Sequence, residues 1–480
     1  MTGPIDLEHV FLSLALIWVL LVAANYIRRT STLLSYLFLP GSVIAGLAAL
    51  AVGPDTLGAL IRQAYGPDGP LSQGLIPAHI REIWHDLPGI LINVVFASLF
   101  LGKIIPGMRA IWRRAAPVVT YGQTIAWGQY VIGFLLAIFI LGPVFGMNPM
   151  AGALIEIGFE GGHGTAAGLI PVFEEMGFRE GADLALGLAT VGLVSAIITG
   201  TILINWAART NRLHTRTTPL DAEAVPEDMA ALMENQSAGG YREDDDHPID
   251  PLSLHLGLIG IAIFVGWSGL QILMAIESVT WGRLWGVALM EHVPVFPFAM
   301  IGGVFVQIVV TRWWGRHVVD RHLTNRIAGT ALDIIIVAAL ATLSLTVIGE
   351  HLVPFLLLAV AGIAWNVTGF LFLAPRLIPN CWFENGIPNF GQSMGMTVTG
   401  MLLFRMTDPA NRSGGLESFG YKQLLFEPIV GGGLFTASAL PLIAQFGAPV
   451  MLAVTGGLMI AWLMFGLLVI APAAHQPQAR

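Results

Sequence analysis

Charge is what this 480-residue chain has least of: charged residues are 11% of it, against about 25% in ordinary soluble domains, while hydrophobic residues are 55%. So little charge cannot cover a water-facing surface, which excludes a soluble domain and leaves a polytopic membrane protein; no nucleic-acid partner is expected of it. Cysteine is nearly absent. Cys381 stands alone, and that single cysteine is read as excluding an intrachain disulfide and any cysteine-based metal site. The basic n-region of a secretory signal is missing as well. Asp6, Glu8 and His9 precede the first apolar run and no A-x-A-like site closes it, so that run reads as a retained helix.

What the chain has is apolar runs, each long enough to cross a hydrocarbon core at about 20 residues. They fall at roughly 10–27, 37–53, 88–106, 117–141 and 184–206, then 253–276, 292–311, 328–348, 353–373, 424–446 and 449–472. An outside N-terminus places only Arg62, Arg81, Arg179 and Arg283 on the outer side and leaves 19 of the 23 basic residues inside. That bias predicts a cytoplasmic C-terminus and counts Lys422 among the basic residues of the inner loop region. Residues 207–250 are the one long hydrophilic stretch, with ten acids and four arginines. They read as a cytoplasmic tether, too poor in large apolar residues to bury a core. The acid run Asp244 to Asp246 lacks the Asp/Asn/Gly spacing of a calcium loop.

The chain therefore divides into a first repeat (1–206), an acidic linker (207–250), a second repeat (251–447) and an extra C-terminal helix with its tail (448–480). Both halves carry a proline-led helix with small residues for close packing. In the first these are Pro40, Gly41, Ser42, Ala45 and Gly46; in the second, Pro294, Pro297, Ala299, Gly302 and Gly303. After its fourth span each half also has a glycine-broken segment: FEGGHGTAAG at 159–168, within a re-entrant segment of about 152–172, and FGQSMGMTVTG at 390–400, within one of about 384–404. Irregular backbone at membrane depth is tolerated where it lines a cavity, and paired breaks in two halves point to a transporter's substrate site. Five crossings separate the copies, so the second is inverted and the two tips can meet near the midplane.

The residues at the tips fit a small anion and a cation. Gly161, Gly162 and Gly164 allow backbone N–H groups to face a ligand, and a short helix starting near Thr165 would aim its positive end at an anion. Gly391 and Gly395 offer the same, with Gln392, Ser393, Thr397 and Thr399 as neutral donors and acceptors, and Asn385 and Asn389 just before them. Freed carbonyls and hydroxyls suit sodium, whose individual ligands the pattern does not identify; no other metal and no cofactor is expected.

The run GGHGTAA at 161–167 resembles the bacterial sodium/glutamate symporters. The wider arrangement is similar too, from Leu39-Pro40-Gly41 to about residue 447. The resemblance implies two inverted five-helix repeats, each with a re-entrant segment. It implies import of L-glutamate or a related amino or dicarboxylic acid with sodium across a bacterial inner membrane. It further implies an elevator-like movement of the re-entrant-bearing domain and a homodimer in the bilayer. Residue by residue it carries over to Gly161, Gly162, His163, Gly164 and Thr165, and more loosely to Gly391, Gly395 and Thr397.

Three acids depart from that pattern: Glu160, Glu427 beside Pro428, and Asp333 near the start of the eighth span. Ionisable groups at membrane depth are costly and functional by default, so Glu160 and Glu427, with Asn389, are candidates for cation or proton coupling, and a proton-coupled carboxylate carrier is the alternative. Asp333 reads as interfacial. His163 could instead hold the loop by bonding to the backbone, and Gln123 and Gln129 could bond between helices. Gly391-Gln392-Ser393-Met394-Gly395 matches the G-x-S-x-G of a serine nucleophile, with His163 as a partner, but an all-helical chain lacks its strand-turn-helix setting. A passive channel would show neither saturation nor ion coupling. The expectation is a carrier and not an enzyme.

Overall fold

The computed structural model describes residues 7–31, 39–103, 108–214, 250–315 and 318–474. Most of the acidic linker, including Asp244 to Asp246, and the C-terminal tail from 475 lie outside the described residues. Every regular element is helical among those described. The first half gives α1 (Leu7–Thr30), α2 (Gly41–Ala51), α3 (Ala78–Ser98), α4 (Met108–Leu136), the short α5 (Leu154–Phe159), α6 (Gly162–Gly168) and α7 (Ile170–Glu175), and α8 (Arg179–Arg209). The second gives α9 (Pro251–Val279), α10 (Phe296–Trp313), α11 (Arg321–Ala341), α12 (Leu352–Phe372), α13 (Trp382–Met394), α14 (Thr397–Thr407), α15 (Gly415–Phe426), α16 (Leu434–Phe446) and α17 (Ala448–Phe465).

Among the described residues nine helices are long and apolar enough to cross a membrane, which makes this an all-α polytopic membrane protein. They correspond to nine of the eleven expected runs. The third and tenth differ, each for a physical reason. The run at 88–106 belongs to α3, which starts ten residues earlier at Ala78 and carries Arg81, Glu82 and Asp86 in its first half, so its apolar part is short. The tenth run is no continuous helix. Pro428 has no N–H to donate, and Gly431 and Gly432 adopt φ of +74° and +99°, so the chain breaks between α15 and α16. The break satisfies itself through bonds from Leu434 N–H to the Pro428 carbonyl at 3.0 Å and from Phe435 N–H to that of Ile429 at 2.9 Å.

The helices pack as two groups. In the first, α1, α2, α9 and α10 surround α3 and α11. The small residues foreseen here do bring backbones together: a β-carbon on Gly46 would lie 2.7 Å from that of Leu340, and one on Gly303 would run into the carbonyl of Ala97. In the second group, α8 and α4 carry both glycine-broken hairpins, α5/α6 and α13/α14, together with α12 and α15 to α17. The first hairpin also lies on the boundary. Gly168 packs on Ile92 of α3 and Gly164 on Leu332 of α11, so α6 is the face that the second group turns to the first.

Arg321 is one of the 19 basic residues assigned to the inner side. It is buried, donating to the carbonyls of Ser98 at 2.9 Å and Leu101 at 2.7 Å, and so closes the C-terminal end of α3.

Candidate substrate and cation site

The first hairpin turns because Gly162 takes φ of +67°, a left-handed conformation, just after the N–H groups of Glu160 and Gly161 have both bonded to the Glu156 carbonyl. Its second arm, α6, therefore starts at Gly162, three residues before the expected Thr165, and is only seven residues long. The second hairpin turns at Gly395, with φ of −141° and ψ of −103°, followed by extended backbone at Met396, between α13 and α14. A β-carbon on Gly162 would lie 3.1 Å from the Gly395 carbonyl oxygen and 3.4 Å from Cγ of Met396. The two tips touch.

Behind this contact lies a buried polar cluster. Lys422 on α15 is fully buried; its ammonium donates to Gln392 Oε1 at 2.8 Å, stands 3.2 Å from the centroid of the Phe426 ring and 4.0 Å from the Glu160 carboxylate. Asn389 faces the same space, since a β-carbon on Gly122 of α4 would lie 2.7 Å from Cε of Lys422 and 3.1 Å from Nδ2 of Asn389. Both Glu160 oxygens, both amide atoms of Asn389 and the Ser393 hydroxyl are buried without a hydrogen-bond partner. Ser393 Oγ is nevertheless beside the Glu160 carboxylate. Buried polar atoms left open in this number, on one arm of each hairpin, are the lining expected of a site that takes a polar ligand.

The other candidates are divided between this cluster and its supports. His163 is buried, with Nε2 3.0 Å from the Thr190 hydroxyl on α8 and Nδ1 unpartnered. It meets a side chain, where a backbone carbonyl was the plain expectation. Thr165 packs against Gly432 in the break of the tenth segment, and Thr399 packs against Gly395. Thr397 Oγ1 accepts from Gln423 Nε2 at 3.1 Å, and the same amide donates to Glu427 at 2.8 Å, so Gln423, the residue after Lys422, links Thr397 to Glu427. Gln129 donates to the Ser393 carbonyl at 2.6 Å and to Asn366 at 3.2 Å, bonding between helices; Gln123 instead accepts from Trp127, four residues along its own helix. Asp333 lies on α11, in the other helix group. Asn385 is turned back to the carbonyls of Asn380 and Cys381.

Two residues of the site were missed by sequence reasoning. Lys422 was taken for a loop cation, and the structure overturns that: it is in the core. Its only sequence signal is position, two residues before an apolar run. Glu156 had a better signal, since Glu156 and Glu160 are one helical turn apart and share a face. Its carboxylate accepts from Tyr130 Oη at 2.6 Å, Thr436 Oγ1 at 2.8 Å and the Gly431 N–H at 2.8 Å, fastening the first hairpin to the tenth segment at its break.

Cys381 also has company that its solitude in the sequence hid. Its sulfur, a His214 ring nitrogen and a Glu384 oxygen lie within 4.8 Å of one another, a grouping with the donor types of a metal site. Glu384 accepts from the His214 N–H at 2.5 Å, which joins the start of the linker to the base of the second hairpin. Burial, then the nearby Glu384 and Asp408, raises the Cys381 thiol above its ordinary value, so the thiol form is favoured in the absence of a cation.

The family model of the sodium/glutamate symporters matches residues 91–373, more than half of the chain. The chain belongs to the sodium/glutamate symporter family. In this symporter the matched segment holds the whole first hairpin with Glu156, Glu160 and GGHGT, and it ends before the second hairpin and Lys422 begin. A comparison with curated proteins gives no match. Membership makes the chain a membrane protein of a sodium-coupled transporter family.

Proposed function

We propose that this family member is a secondary carrier importing a small anionic solute, glutamate or a similar amino or dicarboxylic acid, together with sodium. The observation that carries the reading is the contact of Gly162 with the Gly395 carbonyl over a buried polar cluster, because it draws one tip from each half of the chain to a single site. Gly161, Gly162, His163, Gly164 and Thr165 on one side, and Gln392, Ser393, Gly395, Thr397 and Thr399 on the other, form or support the substrate site. Glu160, Asn389 and Glu427 serve the coupling cation. The division of helices supports an elevator movement: α4 to α8 and α12 to α17 travel as one body against α1 to α3 and α9 to α11, with α6 sliding on α3 and α11. The two halves are inverted repeats with the N-terminus outside, and the working form is a homodimer in a bacterial inner membrane. A cavity of about 490 Å³ at this boundary, lined among others by His85, Glu174, Arg179, Asp183 and Ser344, is an outer way in and lies apart from the Lys422 cluster.

A hydrolase gains no support. Ser393 lies within helix α13 where its pattern requires a strand-to-helix turn, and the His163 nitrogen that makes a hydrogen bond makes it to Thr190. The test is exchange by purified protein in liposomes, loaded with L-glutamate and offered a panel of labelled carboxylates. Saturable exchange confined to amino or dicarboxylic acids is expected; exchange of none of them, or flux linear in concentration, contradicts the carrier.

A further inference from the structure

Among the described residues Lys422 is the cation that faces Glu160, 4.0 Å away, with Glu427 acting on the same ammonium from farther off, and each member of the pair is poorly held. The ammonium has one hydrogen bond and an aromatic face; the carboxylate has no hydrogen bond and relies on Lys422, 4.0 Å away, for its compensation. Other titratable groups around them are occupied elsewhere or carry no positive charge. Glu156 is bound by Tyr130, Thr436 and Gly431; Tyr121 on α4 is a phenol; Glu427 accepts from Gln423 through one oxygen and keeps the other open; and His163 faces Thr190.

We infer that substrate and cation are coupled by a partner exchange in this pair. The substrate carboxylate takes the Lys422 ammonium, and Glu160, deprived of its only counter-charge, must take a monovalent cation before the loaded site can close. This rests on the carrier reading above and supplies its coupling step. A carboxylate left alone in a dry interior is costly, so the anion-loaded, cation-free state is suppressed, and one bound anion requires one bound cation. The open oxygens suit that cation: Ser393 Oγ, beside Glu160, and Asn389 Oδ1, one helical turn earlier on α13, are oxygen ligands for sodium, and a proton needs only the carboxylate itself. In the empty carrier the pair is neutral by itself and can return without cargo. The anion takes Lys422 and the cation takes Glu160, so each releases the other's partner.

The measurement is the dissociation constant of L-glutamate for purified full-length protein in nanodiscs, titrated against sodium at fixed pH and against pH without sodium. Glu160→Gln should lower the slope of log Kd against log sodium by one, or against pH by one where the proton is the cation, and should bind substrate with no cation added. Lys422→Gln should weaken substrate by at least 10-fold while binding sodium, or a proton, without substrate. Each single variant leaves a buried charge alone and can fail to fold. The double variant Glu160→Gln/Lys422→Gln removes both charges, and the lowered slope is expected in it as well. Parent slopes retained in Glu160→Gln or in the double variant, for both cations, overturn the exchange while leaving a carrier. Parent protein that binds no amino or dicarboxylic acid overturns the carrier itself, and the exchange with it.

Discussion

Gly162 presents bare backbone to the carbonyl oxygen of Gly395, 3.1 Å from where its β-carbon would be, and it does so at φ of +67°. The two halves of the chain thus meet at a point that tolerates no side chain on one side. A left-handed conformation costs a non-glycine residue about 1–2 kcal/mol, and here the added carbon also pushes on the opposite tip. Gly162→Ala should reduce uptake and Gly162→Val should abolish it, with either protein still inserted and monodisperse by size exclusion. Parent-like uptake in Gly162→Val would separate the tips from the transport site.

Ser393 and Thr397 should differ. The Ser393 hydroxyl is buried with no partner in the scaffold beyond the neighbouring Glu160 carboxylate, so Ser393→Ala should leave thermal stability in detergent little changed. If it holds the substrate carboxylate, substrate binding weakens by roughly 10- to 100-fold, the worth of a hydrogen bond to a charged group at about 1.5–3 kcal/mol. Thr397 is already taken by Gln423, so Thr397→Ala should alter substrate affinity much less. Radioligand binding on both variants decides it, and equal effects would contradict this division.

Glu156 is a fastening. Its loss strands three buried donors, at about 1–3 kcal/mol each, so Glu156→Ala should destabilise the protein by several kcal/mol and lower its melting temperature in detergent. Glu156→Gln keeps an acceptor for some of them and should fall between. A melting temperature unchanged in Glu156→Ala would show that the hairpin is held by other contacts.

Topology can be checked with the one native cysteine replaced. Single cysteines placed in the 207–250 linker and in the tail after residue 474 should both be labelled from the cytoplasmic side by a membrane-impermeant maleimide. Labelling from opposite sides would mean that the expected number of crossings between them is wrong.

The membrane class, nine of the spans and both hairpins were legible because each rests on a local pattern: runs of apolar residues, or glycines at 161, 162, 164 and 395 in apolar surroundings. The break at Gly431 to Gly433 was written just as plainly, but its apolar neighbours on both sides read as one helix. Lys422 was illegible for a different reason. A lysine near the end of an apolar run has the same sequence whether it faces water or a carboxylate from another element, and only the packing of α15 on α4 and α13 distinguishes the two. The Cys381, His214 and Glu384 group was equally hidden, since His214 comes from 167 residues earlier in the chain.

The central claim is cation-coupled transport of a small anionic acid, and uptake under imposed gradients tests it most directly. Purified protein in liposomes would be given labelled L-glutamate with an inward sodium gradient at symmetric pH, and separately with an inward proton gradient in the absence of sodium. The account predicts saturable, concentrative uptake driven by the sodium gradient that collapses when the gradient is dissipated. Uptake that never exceeds equilibrium under either gradient would contradict it.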